Sequence, residues 1–437
     1  MLKRVIAAAA AMSGLLAAIP AQAASEIEWW HAMGGKLGEK VNEIAAGFNA
    51  SQSDYVLKPV YKGNYTETMT AAIAAFRAKQ QPHVVQVFEV GTATMMSAKG
   101  AVYPVFELMK DSGESFDPGA YLQAVTGYYT DTDGNMLSMP FNSSTPVMYY
   151  NKDAFKKAGL DPNSPPKTWP ELAEAAKKLQ SSGATACGFT TGWQSWVQIE
   201  NFSAWHNVPI GTKANGFAGI DSEFTFNSPA HVKHISTLAE WQQSKIFDYG
   251  GRRSDSAPKF YNQECAMYMN SSAGYAGVKA NVKFDFGVSR LPYWPDVASE
   301  PQNSIIGGAT LWVLQGRDSA EYKGVAKFFS YLSSAEVQAD WHQFTGYLPI
   351  TNAAADLTKK QGFYDANPGT DVAIKQINNK APTANSKGLR FGNFVQIRDI
   401  INEELEAAWA WSKTAKEALD EAVSRGNKLL RKFESAN

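Results

Sequence analysis

From residue 26 onward, short apolar runs alternate with longer amphipathic stretches. Residues 26–31 read as a strand, and Val41, Ile44, Ala45 and Phe48 follow at spacings of three and four, which is one apolar face of a helix. Residues 55–61 give a second strand, Lys62-Gly63-Asn64 a turn, and Met69, Ala72, Ile73 and Phe76 the face of a second helix. Residues 83–90 are nearly continuous in apolar side chains, as a strand covered by helices on both faces requires. Strands separated by crossover helices of this length pair in parallel, so the pattern predicts an α/β lobe.

The texture changes over residues 125–150, which read as extended segments around an Asp133-Gly134 turn and as a crossing between two lobes. Beyond it, Thr168 and Glu171 form a capping box ahead of Leu172, Ala175, Ala176 and Leu179. Residues 187–190 and 285–291 read as strands with helical stretches between them, so a second α/β unit is expected. Ser333 with Glu336 and Thr414 with Glu417 repeat the capping signature, and Ala418, Ala422, Leu429 and Phe433 mark an apolar stripe on the last helix. With no repeat and no low-complexity tether, the lobes are expected to join through several short crossings.

The first residues change the setting of this domain pair. Lys3 and Arg4, a short alanine-rich apolar run and the Ala-Gln-Ala triplet ending at Ala23 make residues 1–23 an export signal, with the mature chain starting near Ala24. The formal charge is −1 for the whole chain and about −3 once Lys3 and Arg4 are removed, so no overall field favours nucleic acid or an acidic membrane surface. The 12 Trp and 18 Tyr in 437 residues leave room for an aromatic-lined ligand cleft. In an oxidising compartment Cys187 and Cys265 can pair, and two buried free thiols are the alternative.

Enzyme signatures do not emerge. There is no HExxH, GxSxG or Walker A pattern, and Gly34-Gly35-Lys36 lacks the spacing and the hydroxyl residue of a phosphate loop. The Ser164–Lys167 and Ser256–Lys259 pairs contain proline and fall in loops, while His231 and His234 share a helical face without further ligands. No cofactor or metal is implied. The informative residues are polar, aromatic or glycine at turns. Tyr65 follows a strand-ending turn, where open α/β sheets bind ligands, and reads as a cleft residue or a surface staple. Glu89 interrupts an apolar strand near its carboxyl end, so it sits at the sheet edge or accepts hydrogen bonds from a polyol. Asn142-Ser143-Ser144-Thr145 lies beside the crossing, and Trp193 and Trp196 pack a core or wall a pocket.

Several strings carry a family resemblance. They include Tyr61-Lys62-Gly63-Asn64-Tyr65, Glu89-Val90-Gly91-Thr92-Ala93-Thr94-Met95-Met96, Pro140-Phe141-Asn142-Ser143-Ser144-Thr145-Pro146, Gly192-Trp193-Gln194, Ile306-Gly307-Gly308-Ala309 and Thr345-Gly346-Tyr347-Leu348-Pro349. Across nearly the whole mature chain the sequence resembles the periplasmic sn-glycerol-3-phosphate receptors of bacterial ABC importers, in extracellular solute-binding protein family 1. The resemblance implies a two-lobed α/β binding protein in the periplasm, each lobe a mainly parallel sheet flanked by helices, closing about a hinge. Residues 24–140 with about 282–338 form lobe 1 on this reading, and residues 141–281 with about 339–437 form lobe 2. It also implies glycerol 3-phosphate and glycerophosphodiesters as ligands, inner-membrane permease and ATP-binding subunits as partners, and a monomer when free. Local motifs carry the ligand contacts onto Tyr65, Glu89, Ser144, Ser271, Gly308, Tyr347 and Arg398, and an aromatic wall onto Trp193 and Trp196. Arg398 offers a planar charged fork for phosphate, whereas an ionised Glu89 can only accept and so faces glycerol hydroxyls. A plain sugar or polyol receptor is the competing reading, and a secreted phosphodiesterase a remote one.

Overall fold

The computed structural model describes residues 24–437, and the export signal lies outside the described residues. Two sheets organise the chain. The first has strand order β2-β1-β3-β10-β4, with β1 Ser25–His31, β2 Tyr55–Tyr61, β3 Val84–Phe88, β4 Val102–Tyr103 and β10 Gly307–Leu314, while β5 Met139–Ser144 also pairs with β10. The second runs β7-β8-β6-β9, from Cys187–Thr191, Cys265–Ser271, Pro146–Asn151 and Phe286–Ser289. The early strands and helices fall where the periodicity puts them. Helices Gly35–Ser51 and Tyr65–Arg77 bury Val41, Ile44, Ala45 and Phe48 in one case and Met69 and Ala72 in the other.

The two-lobed α/β architecture holds, but the sheets are mixed rather than mainly parallel. β1 pairs in parallel with β2 and β3, and β7 with β8, whereas β10 is antiparallel to β3, β4 and β5, and β6 is antiparallel to β8 and β9. The physical reason is the route of the chain. β10 enters the first sheet from the other lobe, so no crossover helix constrains it to run with its neighbours. The crossing itself is abrupt: β5 ends in the first sheet at Ser144, Thr145 follows, and β6 starts in the second at Pro146. Because β9 pairs with β6, the return to the first sheet lies between residues 289 and 307 rather than near 282. Helix Ala335–Thr345 contributes Trp341 to the first lobe's core, where it stacks on Phe141 at 4.8 Å, so that lobe also extends past residue 338.

Two local expectations change. Residues 123–129 form a helix instead of an extended segment, burying Val125, Tyr128 and Tyr129. The helix starting at Ala335 is capped by Ser334, which accepts from the Val337 amide, because Ser333 closes the preceding helix Ser319–Leu332. The capping boxes at Thr168 and Thr414 form as expected. Cys187 and Cys265 are opposite one another on β7 and β8 and are joined as a disulfide, which resolves the choice left open by the sequence.

Candidate functional site

The lobes meet around a cavity of about 240 Å³ at the strand ends that face the crossings. All nine residues singled out in the sequence line it: Tyr65, Glu89, Ser144, Trp193, Trp196, Ser271, Gly308, Tyr347 and Arg398. The volume is below the roughly 300–1,000 Å³ common for ligand pockets, which suits a small polar molecule.

The first lobe supplies its contacts from the ends of its sheet. Glu89 follows β3 directly and is buried. Tyr65 opens the helix Tyr65–Arg77, whose Asn64 cap and Glu67 form a capping box, and its ring stacks on Phe88 at 5.2 Å. A buried relay fixes its hydroxyl. The Ala32 amide donates to Gln86 Oε1 at 2.7 Å, Gln86 Nε2 donates to Asn142 Oδ1 at 2.7 Å, and Asn142 Nδ2 donates to the Tyr65 hydroxyl oxygen at 2.9 Å. The backbone donor at Ala32 sets the orientation of both side-chain amides, so the Tyr65 oxygen accepts from Asn142 and the hydroxyl keeps its own proton to give, with Tyr347 beside it. Burial, reinforced by the neighbouring Tyr347, pushes the Tyr65 phenol well above its usual pKa, which keeps that donor protonated. Tyr347 stacks on Trp341 at 5.6 Å. Gly308 must be glycine, since its φ is +104° and a Cβ there would lie 2.0 Å from the Asn142 carbonyl oxygen.

The second lobe builds its wall from turns and helix starts. Trp196 begins a single π-helical stretch, Trp196–Asn201, and its ring packs so closely on Gly307 that a Cβ there would sit 2.4 Å away. Trp193 is half-buried with φ +46°, a left-handed backbone rare for a bulky residue. Ser271 ends β8 and caps the turn that follows, accepting from the Ala273 amide at 3.1 Å. Ser271 lines the cavity and Ser272 does not.

Arg398 lies in the first turns of helix Phe394–Trp409 and is buried. It does not pair with Glu403 or Glu404, which Arg425 engages instead. Its Nε and Nη2 grip Glu200 at 2.9 and 2.6 Å, and Nη2 also reaches Glu89 across the lobes at 2.7 Å. Burial opposes the charged guanidinium, yet the two carboxylates more than offset this and raise its pKa. Burial also raises Glu200, with Arg398 pulling the other way. The fork expected to hold a phosphate is therefore closed on Glu200, and among the described residues only Nη1 has no protein partner.

Sequence reasoning missed Glu200, the partner that neutralises Arg398, because an acid in the mixed stretch Val197-Gln198-Ile199-Glu200-Asn201-Phe202 carries no spacing signal. It also missed Arg253, Ser254 and Asn270, which line the cavity from loop and strand positions without a motif. Gln86 could have been found as a lone polar residue in an otherwise apolar strand.

Comparisons with known proteins show the family and the fold. Residues 43–375 match the family model described as bacterial extracellular solute-binding protein. The chain is 53% identical over 430 residues to the sn-glycerol-3-phosphate-binding periplasmic protein UgpB of Pectobacterium atrosepticum, covering 98% of this chain and 96% of that one. Among solved structures, UgpB from Mycobacterium tuberculosis in complex with glycerophosphocholine is similar with a TM-score of 0.78 and 22% identity, covering 94% of this chain and 99% of that one. Maltose-bound MalE3 of T. maritima matches with the same TM-score at 18% identity, covering 93% and 100%, so the fold alone does not choose the ligand. On the family match and the close relative together, the chain belongs to the bacterial extracellular solute-binding proteins.

Proposed function

We propose that this protein is a periplasmic receptor that captures sn-glycerol 3-phosphate, and glycerophosphodiesters, between its lobes and delivers them to the permease of an ABC importer with its ATP-binding subunits. The observation that carries this reading is one small cavity where a buried acid, an arginine, hydroxyl donors and a tryptophan wall converge from both lobes. Strong sequence identity to a glycerol-3-phosphate-binding relative supports the choice of ligand over a plain sugar. Glu89 accepts hydrogen bonds from the glycerol hydroxyls, while Tyr65, Tyr347, Ser144 and Ser271 donate neutral hydrogen bonds. The Gly308 amide approaches closely because no side chain intervenes. Trp193 and Trp196 cover the carbon backbone. The role is capture and release, with no catalysis and no cofactor, by a monomer.

Lobe 1 on this proposal comprises residues 24–144 and 307–360, and lobe 2 comprises 146–289 and 372–437. Contacts distributed over both lobes favour closure on binding. Calorimetric titration of the exported protein against glycerol 3-phosphate, glycerophosphocholine, maltose and inorganic phosphate tests the ligand. The first two bind and the last two do not; tight maltose binding with no response to glycerol 3-phosphate would replace this reading with the sugar receptor. Solution scattering checks closure through a smaller radius of gyration at saturation.

A further inference from the structure

The phosphate reading leaves a charge unaccounted for. Glu89, Glu200 and Arg398 form one buried cluster. With both acids ionised its charge is −1, and with Glu200 protonated it is zero. In neither state does Arg398 provide surplus positive charge for a phosphate, and a buried anion without compensation is costly.

Among the described residues lining the cavity, the other cation is Arg253. Its neighbour Arg252 is committed, gripping Glu406 through Nε and Nη2, both at 2.7 Å. The exposed Arg253 guanidinium has no ion pair or hydrogen bond among the described residues. Its backbone is nonetheless anchored to the site. The Arg253 carbonyl accepts from the Trp193 amide at 2.6 Å, and both residues are left-handed, at φ +54° and +46°. Arg253 also lines a second cavity of about 290 Å³, which shares Phe88, Trp193 and Arg398 with the first. Asp255 and Asp399 line that second cavity, and neither pairs with Arg253.

We propose that Arg253 makes the principal cationic contact to the ligand's phosphate at the wall between the two cavities, while Arg398 holds Glu89 in place for the glycerol hydroxyls. This inference rests on the phosphate-ligand reading above. It places the phosphate where an esterified alcohol has room to continue into the second cavity, so monoester and diester share the same anion contact.

Calorimetry of the exported protein and of Arg253→Ala and Arg253→Lys, with glycerol 3-phosphate and glycerophosphocholine at low and high salt, provides the test. Arg253→Ala is expected to weaken both ligands by about 10- to 100-fold and to flatten the salt dependence, with an unchanged melting temperature. Arg253→Lys keeps most of the affinity, since a point charge serves at a wet rim. If the unaltered protein binds both ligands and Arg253→Ala binds them within about threefold with the same salt dependence, the Arg253 role is overturned and the receptor reading stands. If the unaltered protein binds neither, the receptor reading fails and the Arg253 role fails with it.

Discussion

The two walls of the cleft are built by different physics. On the first lobe, Tyr65 and Tyr347 are each stacked on a ring, Phe88 and Trp341, and a relay of buried amides aims the Tyr65 proton. On the second lobe, the lining side chains start from a π-helical stretch, left-handed turns and a helix start, and a buried ion cluster reaches across. A packed aromatic side chain has little entropy left to lose, whereas an exposed arginine must be ordered by the ligand. One wall is held by stacked rings, and the other combines packed Trp196 and a buried ion pair with the exposed Arg253.

The largest break in this comparison is at Arg398. Arg398→Ala removes the cation that bridges both walls and leaves Glu89 and Glu200 buried without it, so a loss of about 3–5 kcal/mol of folding stability is expected. The pH dependence has a definite sign. Burial holds Glu200 above its ordinary pKa of 4.5 even with Arg398 present, and without that cation the shift grows. A carboxyl raised in the folded state contributes stability at low pH that is lost as pH rises through its folded pKa. Arg398→Ala should therefore be weakest at neutral pH and recover part of its stability on acidification, which urea melts at several pH values would reveal. A deficit independent of pH would mean that lost packing, not exposed charge, dominates.

Removing the disulfide asks whether the second wall's stability is separable from its binding. Cys187 and Cys265 begin β7 and β8, at the opposite strand ends from Gly192 and Ser271. Replacing both by Ser opens a loop closed over 78 residues, for which the chain-entropy account gives about 4 kcal/mol and practice about 2–4. Thermal unfolding should register that loss while glycerol 3-phosphate titration stays unchanged. A matching loss of affinity would show that the strands transmit strain to the cleft.

The tryptophans sharpen the contrast within the second wall. Trp196 is 4% exposed and packs on Gly307, whereas Trp193 is half-buried. Trp196→Ala should cost about 3–5 kcal/mol in stability, and Trp193→Ala about 1–2 kcal/mol in binding with the fold intact. Fluorescence on ligand addition, compared between the two variants, shows which ring senses the ligand. Unfolding of Trp193→Ala would move that ring from wall to core.

The unequal construction also explains what could be read from sequence. Strand and helix periodicity located β1 to β3 and with them Tyr65 and Glu89 at turn and strand ends, because local apolar spacing is what fixes those elements. The direction of β10 was not legible, since it depends on a strand arriving from the other lobe. Neither was the choice of Ser334 over Ser333, adjacent serines that only the hydrogen-bond pattern separates. On the second wall, Arg398 stood out through a family motif alone. Nothing in Gly251-Arg252-Arg253 distinguishes the arginine that meets Glu406, over 150 residues away, from the one left facing the cleft. Long-range pairing, not composition, decides which charge is free.

The smallest effect tests whether the first wall is as preformed as its stacking suggests. Tyr65→Phe keeps the ring on Phe88 and deletes only the hydroxyl that receives Asn142 Nδ2. Glycerol 3-phosphate affinity should fall by about 1 kcal/mol, the worth of one neutral hydrogen bond, roughly five- to tenfold. Gln86→Leu leaves the hydroxyl but breaks the relay between Ala32 and Asn142, freeing the Asn142 carboxamide to flip. If the relay aims the proton, Gln86→Leu should approach the affinity of Tyr65→Phe, and the double variant should lose little more than either single one. Additive losses would show that Tyr65 finds its donor geometry from stacking alone, and that the buried amides merely satisfy one another.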